Sequence, residues 1–144
     1  MNISADFGIT VTDTLIRKND ELIHRMDLSS ENLNHDRVRE IFPEIDFNSN
    51  TGFLAVTGGR HLELGDNIDN TPIIHVNEIE AIGEGSMSLA KLNKDESTII
   101  VSAGSGTACI HAQKGVYTHC SGTGVGGGTV LGLSKLLLGT DNPE

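Results

Sequence analysis

V-S-A-G-S-G-T (Val101–Thr107) and S-G-T-G-V-G-G-G-T-V-L-G-L-S-K-L-L-L-G (Ser121–Gly139) are the two stretches that decide how this chain is read. Nine of its seventeen glycines lie between Gly104 and Gly132. A strand or helix interior does not favour that density, because each glycine costs backbone entropy and brings no side chain to bury. The pattern predicts turns whose backbone N–H groups approach a bulky anion, with a helix pointing its N-terminus at it. Charge agrees: no Asp or Glu occurs from Ser97 to Thr140, although the chain carries a formal net charge of −10. Carboxylates beside a bound phosphate would repel it.

Working outward, 144 residues make one domain or slightly more. The hydrophobic fraction of 37% supports a core, and with no Trp and 3% aromatic residues that core should be aliphatic. No apolar run is long enough to span a bilayer, and M-N-I-S-A-D-F at the start lacks a signal-peptide pattern. The expectation is a soluble, cytoplasmic protein. The acidic balance argues against nonspecific nucleic-acid binding, which needs a basic face; it also fits a plain soluble surface. Cys109 and Cys120 flank a hairpin expected to turn at Lys114-Gly115. A regular ladder would put the two thiols opposite each other, with His111 on the same face. That arrangement fits either a zinc or redox cluster or two small apolar side chains. A one-residue register shift would scatter it.

Strands are expected at Ile3–Ala5, Val11–Arg17 and Glu21–Leu28, with a turn at Asn19-Asp20. Val38, Ile41 and Phe42 have helical spacing within 34–42, and Pro43 stops the helix. Phe53–Thr57, ending at Gly58-Gly59, reads as a buried parallel strand. Residues 60–72 read as a polar loop and Ile73–Val76 as a short buried strand. Asn77 is placed to cap a helix from Glu78 to about Leu92. Thr98–Ala103, Ala108–Gln113 and Val116–Ser121 are expected strands, and a last helix opens at Val125 or Gly126 and runs to Leu138. Three strands and a helix thus occur twice, which predicts a duplicated α/β plan divided near Asp95: a first domain over 1–95 and an incomplete second over 96–144.

Together, S-A-G-S-G-T with S-G-T-G-V-G-G-G-T-V-L-G-L-S-K-L-L, V-T-G-G-R (Val56–Arg60), N-E-I-E-A-I-G-E-G (Asn77–Gly85) and D-F-G-I-T (Asp6–Thr10) resemble the type II and eukaryotic-like pantothenate kinases. The motifs stand in family order over most of the chain. The resemblance implies the ribonuclease H-like, actin-like ATPase fold and phosphate transfer from Mg-ATP to pantothenate or a similar small metabolite, in coenzyme A biosynthesis. It makes Glu78 the general base, a role that suits a reaction in which an attacking alcohol loses its proton. Read without the family, Glu78 is a glutamate that complements a helix dipole. Asp6 would organise Mg²⁺ through water, and Gly8 and Thr10 would approach the terminal phosphates of ATP; outside the family an isolated Asp is a common turn former. Gly104, Ser105, Gly106 and Thr107 would form a second phosphate loop. Gly126, Gly127 and Gly128 would start the last helix close to the ligand. His119, Gly122 and Thr123 would contact substrate, while Glu80 and Glu84 face solvent.

The chain departs from that family at three positions. Ile9 stands for a second loop glycine, Asp13 for a basic residue, and His119 for an arginine that faces substrate. An imidazole does not replace a bidentate guanidinium. Adenine-holding elements follow Glu144 in the family, so a homodimer or a partner supplying them is a further expectation. Two other readings compete: a non-catalytic binding or assembly module, and a hydantoinase-type actin-like ATPase, since D-F-G-I-T-V-T-D also resembles the opening of that group.

Overall fold

The structure is a computed structural model that describes residues 2–18, 21–49 and 52–140. The turn expected at Asn19-Asp20 lies outside the described residues. The chain forms two compact units, Met1–Glu78 and Ile79–Glu144.

In the first unit, β1 (Asn2–Phe7), β2 (Val11–Lys18) and β3 (Glu21–Ser29) make an antiparallel meander. After α1 (His35–Ile41) come β4 (Leu54–Thr57), β5 (Asn67–Ile68) and β6 (Thr71–His75). The sheet order is β3-β2-β1-β4-β6-β5, with β1, β4 and β6 parallel and β5 antiparallel to β6. Alternation decides the faces: Ile3, Ala5 and Phe7 are buried on β1 while Asp6 is exposed. β4 lies between two parallel neighbours, as its continuous apolar run predicts. Helix α1 begins where the Asn34 side chain accepts the Arg37 N–H at 2.9 Å and ends at Ile41, two residues before Pro43.

The core is not purely aliphatic. Phe7, Phe42 and Phe47 are fully buried among Ile3, Ile16, Val38, Leu54 and Val56. Phe42 and Phe47 meet edge to face at 6.3 Å, so a few aromatics carry a large share of the packing. Residues 60–72 are more ordered than a polar loop: they hold a short 3₁₀ turn at His61–Glu63 and all of β5. Buried Leu64 and Ile68 anchor that segment, and two such residues among charges give no readable period.

In the second unit, α2 (Glu78–Leu89) is followed by β7 (Thr98–Ala103), β8 (Thr107–Gln113) and β9 (Val116–Thr123), an antiparallel meander, and then α3 (Gly127–Leu138). Its core joins Met87, Ile100, Ile110 and Ala112 with Ile79, Ile82 and Tyr117. This packing moves the division from the expected Asp95 to Glu78, because the apolar face of α2 belongs to the second sheet. α2 also stops before Leu92: Lys91 turns left-handed at φ 53° and the Leu92 N–H returns to the Met87 carbonyl at 3.0 Å. Three antiparallel strands followed by a helix do occur twice. Among the described residues no helix is long and apolar enough to cross a membrane.

Candidate functional site

The first unit gathers carboxylates at the open end of β1. Antiparallel register sets Asp6 opposite Asp13, and parallel register sets it beside Thr57. The intervening turn is tight: a side chain on Gly8 would begin 2.7 Å from the Val11 carbonyl oxygen. Thr10 accepts the Ser30 N–H at 3.1 Å, and the buried Thr12 and Ser30 hydroxyls share a 2.7 Å hydrogen bond. Gly58 has φ +91°, and a side chain there would enter the space held by the Asp6 carboxylate and sit 2.5 Å from the Phe7 carbonyl carbon.

Asp6 is exposed as a residue, yet its carboxyl is partly desolvated. That desolvation, then the charge of Glu78, then that of Asp13, raise its pKa above the ordinary 3.8. Glu78, the exposed first residue of α2, therefore lies within the electrostatic reach of Asp6. One Asp13 carboxylate oxygen and the Thr57 hydroxyl are buried without a hydrogen-bond partner among the described residues. Asp13 thus adds a second carboxylate opposite Asp6.

Arg60, quoted within V-T-G-G-R but given no role from sequence, ties this region together. Its backbone N–H donates to Phe7 at 3.0 Å. Its guanidinium donates to the Ser30 carbonyl and to both Glu63 carboxylate oxygens. No local signal announces this, since Ser30 and Arg60 are thirty positions apart.

The second unit uses its glycines for close seating. The β7–β8 turn spans Gly104, Ser105 and Gly106, and the first residues of α3 pack onto it. Gly127 donates its N–H to Gly104 at 2.8 Å and Gly128 donates to Ser105 at 3.2 Å. A side chain on Gly126 would lie 2.7 Å from the Gly106 Cα and the Ser105 oxygen. One on Gly106 would lie 2.9 Å from the Thr123 carbonyl oxygen. The expectation that the opening N–H groups of α3 point at an anion is corrected in this respect: those of Gly127 and Gly128 are held by turn carbonyls. The reason is nonlocal, because a helix N-terminus has donors that any nearby acceptor can satisfy. Thr107 and Thr123 support the same seat, with Thr107 Oγ1 donating to the Val125 carbonyl at 2.8 Å and the Val125 N–H donating to Thr123 Oγ1 at 3.2 Å.

His119 is exposed on β9 and pairs with Ile110 in register. A side chain on Gly122 would stand 3.0 Å from the His119 Nε2, so these two expected substrate contacts are neighbours. Glu84 is exposed but engaged, accepting from Lys94 and, at 2.5 Å, from the Tyr117 hydroxyl. The cysteine arrangement is corrected. Lys114-Gly115 does turn the hairpin, but a register irregularity between Cys109 and Ile110 pairs Cys109 with Ser121. Cys120 donates to the Cys109 carbonyl at 3.3 Å, and His111 shares a 2.8 Å hydrogen bond with Ser97. Among the described residues no group of three or more His, Cys, Asp or Glu is placed to hold a metal.

The six-stranded sheet, with its meander beside parallel strands, and the second meander-plus-helix define the actin-like kinase and ATPase fold. Solved structures with this fold include the ethanolamine utilization protein EutJ from Carboxydothermus hydrogenoformans, with TM-score 0.59 and 13% identity over 96% of this chain and 57% of that one. A candidate 2-dehydro-3-deoxygalactonokinase from Sinorhizobium meliloti gives TM-score 0.63 and 8% identity over 94% and 56%. No family model matches the chain. In sequence it is similar to type II pantothenate kinases. Those of Bacillus cereus (strain ATCC 10987 / NRS 248) and Bacillus anthracis are 31% and 30% identical to it, over 99% of this chain. The chain spans about half the length of these relatives, 51% in each case.

Proposed function

We propose that this chain forms part of an ATP-dependent kinase that phosphorylates a small hydroxylated metabolite, with pantothenate the first substrate to test and coenzyme A synthesis its setting. The observation that carries the reading is the placement of Asp6 within reach of both Glu78 and Asp13. Carboxylates that repel one another, one with a buried unpartnered oxygen, suit a hard divalent cation. Asp6 would hold Mg²⁺ through water, with Asp13 adding charge. The bound ion would neutralise phosphate charge and orient the transferring group. Glu78 accepts the proton of the substrate hydroxyl. Gly8 and Thr10 line one phosphate loop, and Gly104, Ser105, Gly106 and Thr107 line the other. Gly126, Gly127 and Gly128 fix the seat of α3 against that second loop. His119, Gly122 and Thr123 face substrate.

A non-catalytic binding module is the second reading. It is favoured by the Gly127 and Gly128 N–H groups being held by turn carbonyls, and by Asp13 standing for a basic residue. The deciding experiment incubates the full-length protein with Mg-ATP and pantothenate and identifies the product by mass spectrometry. Phosphopantothenate, lost on Glu78→Gln, supports the kinase. Nucleotide binding without turnover of pantothenate or related alcohols supports the module.

A further inference from the structure

His61, in the 3₁₀ turn after V-T-G-G-R, and His75, the last residue of β6, bring their Nδ1 atoms to 3.2 Å. The rings stand 5.1 Å apart at 52°, so they meet through nitrogens rather than by stacking. The Nε2 of His75 lies 3.3 Å from the Gly65 carbonyl oxygen. That oxygen can only accept, so a proton on His75 Nε2 donates to it and leaves the His75 Nδ1 as acceptor of the His61 Nδ1–H, the proton that a bound metal would displace. A backbone carbonyl that fixes one imidazole nitrogen while the other faces inward is the usual support of a metal-binding histidine. The spacing is right as well. Two imidazole nitrogens at Zn–N distances of about 2.0–2.1 Å lie roughly 2.8–3.4 Å apart between octahedral and tetrahedral angles.

We propose that His61 and His75 form a two-imidazole site for a borderline divalent transition metal, separate from the carboxylates at Asp6. Nitrogen donors select Zn²⁺, Cu²⁺ or Ni²⁺ over Mg²⁺, and water completes the coordination. The negative charge of Glu78 reaches His61 and adds to the attraction for a cation.

The test titrates ZnCl₂ alone into the full chain by calorimetry, in excess MgCl₂. A Cys109→Ser, Cys120→Ser background removes the thiols as competing ligands. One ion should bind per chain. His61→Gln and His75→Gln should each weaken binding at least tenfold, while His119→Gln leaves it unchanged. No saturable binding, or binding that survives both His61→Gln and His75→Gln, overturns the site. Should either variant fail to fold, nitrogen-15 NMR of the unsubstituted chain decides. Zinc should shift the Nδ1 resonances of His61 and His75 together, and a titration that moves neither rejects the proposal.

Discussion

Asp6 and Asp13 face each other across the β1–β2 ladder, and the Asp6 carboxyl is held above its ordinary pKa. Like charges opposite each other on a sheet destabilise it. Below 3.8 the Asp6 carboxyl is protonated in folded and unfolded chains alike. As pH rises through the raised folded value, the unfolded chain ionises more readily and stability contributed by the neutral carboxyl is lost. Asp6→Asn should therefore raise the melting temperature near neutral pH, and the gain should vanish below 3.8. Mg²⁺ should stabilise the parent more than the variant, because a ligand of the native state shifts its unfolding. Thermal melts across pH would refute this if Asp6→Asn were the less stable form at neutrality.

Glu78 is exposed at the first position of α2. Removing its charge should leave the melting temperature nearly unchanged. If Glu78 is the general base proposed above, Glu78→Gln should lower kcat about a hundredfold or more, the scale of a lost general base. Steady-state rates near those of the parent would remove Glu78 from the reaction.

Gly83 is buried against Tyr117, and a methyl group there would start 2.5 Å from the Tyr117 Cγ. The ring cannot easily withdraw, since its hydroxyl donates to Glu84 at 2.5 Å. Gly83→Ala should cost about 1–3 kcal/mol, the range for overpacking. Urea unfolding measures the cost, and adding Tyr117→Leu should recover part of it. Equal midpoints for Gly83→Ala and the parent would show that the contact yields.

Two glycines near and within α3 should respond with opposite sign. Gly126 meets backbone atoms of Gly104, Ser105 and Gly106, whereas Gly132 has nothing within 4 Å. Gly126 has φ −170°, which any residue can adopt, so a substitution there is opposed by contact alone. Gly126→Ala should destabilise by about 1–3 kcal/mol. Gly132→Ala should stabilise by about 0.5–1 kcal/mol through reduced backbone entropy. Chemical denaturation of both variants gives the comparison, and a shared sign would contradict the seating role of Gly126.

His119 is exposed beside Gly122. If it occupies the place of a substrate-facing arginine, His119→Arg in the full-length protein should strengthen pantothenate binding by about 1.5–3 kcal/mol, the value of a charged hydrogen bond. Calorimetry reads the change directly. Tight binding by the parent that is lost on substitution would show that His119 does not stand in that place.

Local chemistry determined much of this protein from sequence alone. Asn34 and Pro43 bracket α1 because a side-chain acceptor and a missing N–H act within a few residues. The apolar run before Gly58-Gly59 identifies β4, with Leu54 and Val56 buried on one face and Ala55 and Thr57 half-buried on the other, although exposed Phe53 falls outside the strand. Lys114 and Gly115 make the β8–β9 turn because both sit at positive φ, 53° and 73°. The order of strands and helices, with the family motifs laid along it, follows from such signals.

Only the tertiary structure decided the long-range partners. An irregularity in one ladder separated Cys109 from Cys120. Packing of Ile79, Ile82 and Met87 placed the division at Glu78. The carbonyls of Gly104 and Ser105 took the N–H groups of Gly127 and Gly128, and the fold brought His61 to His75. Each of these joins residues many positions apart. Periodicity and turn chemistry record what a residue prefers among its neighbours in the chain. Register and packing record which distant surface it meets, and that is settled when the whole set of elements packs together.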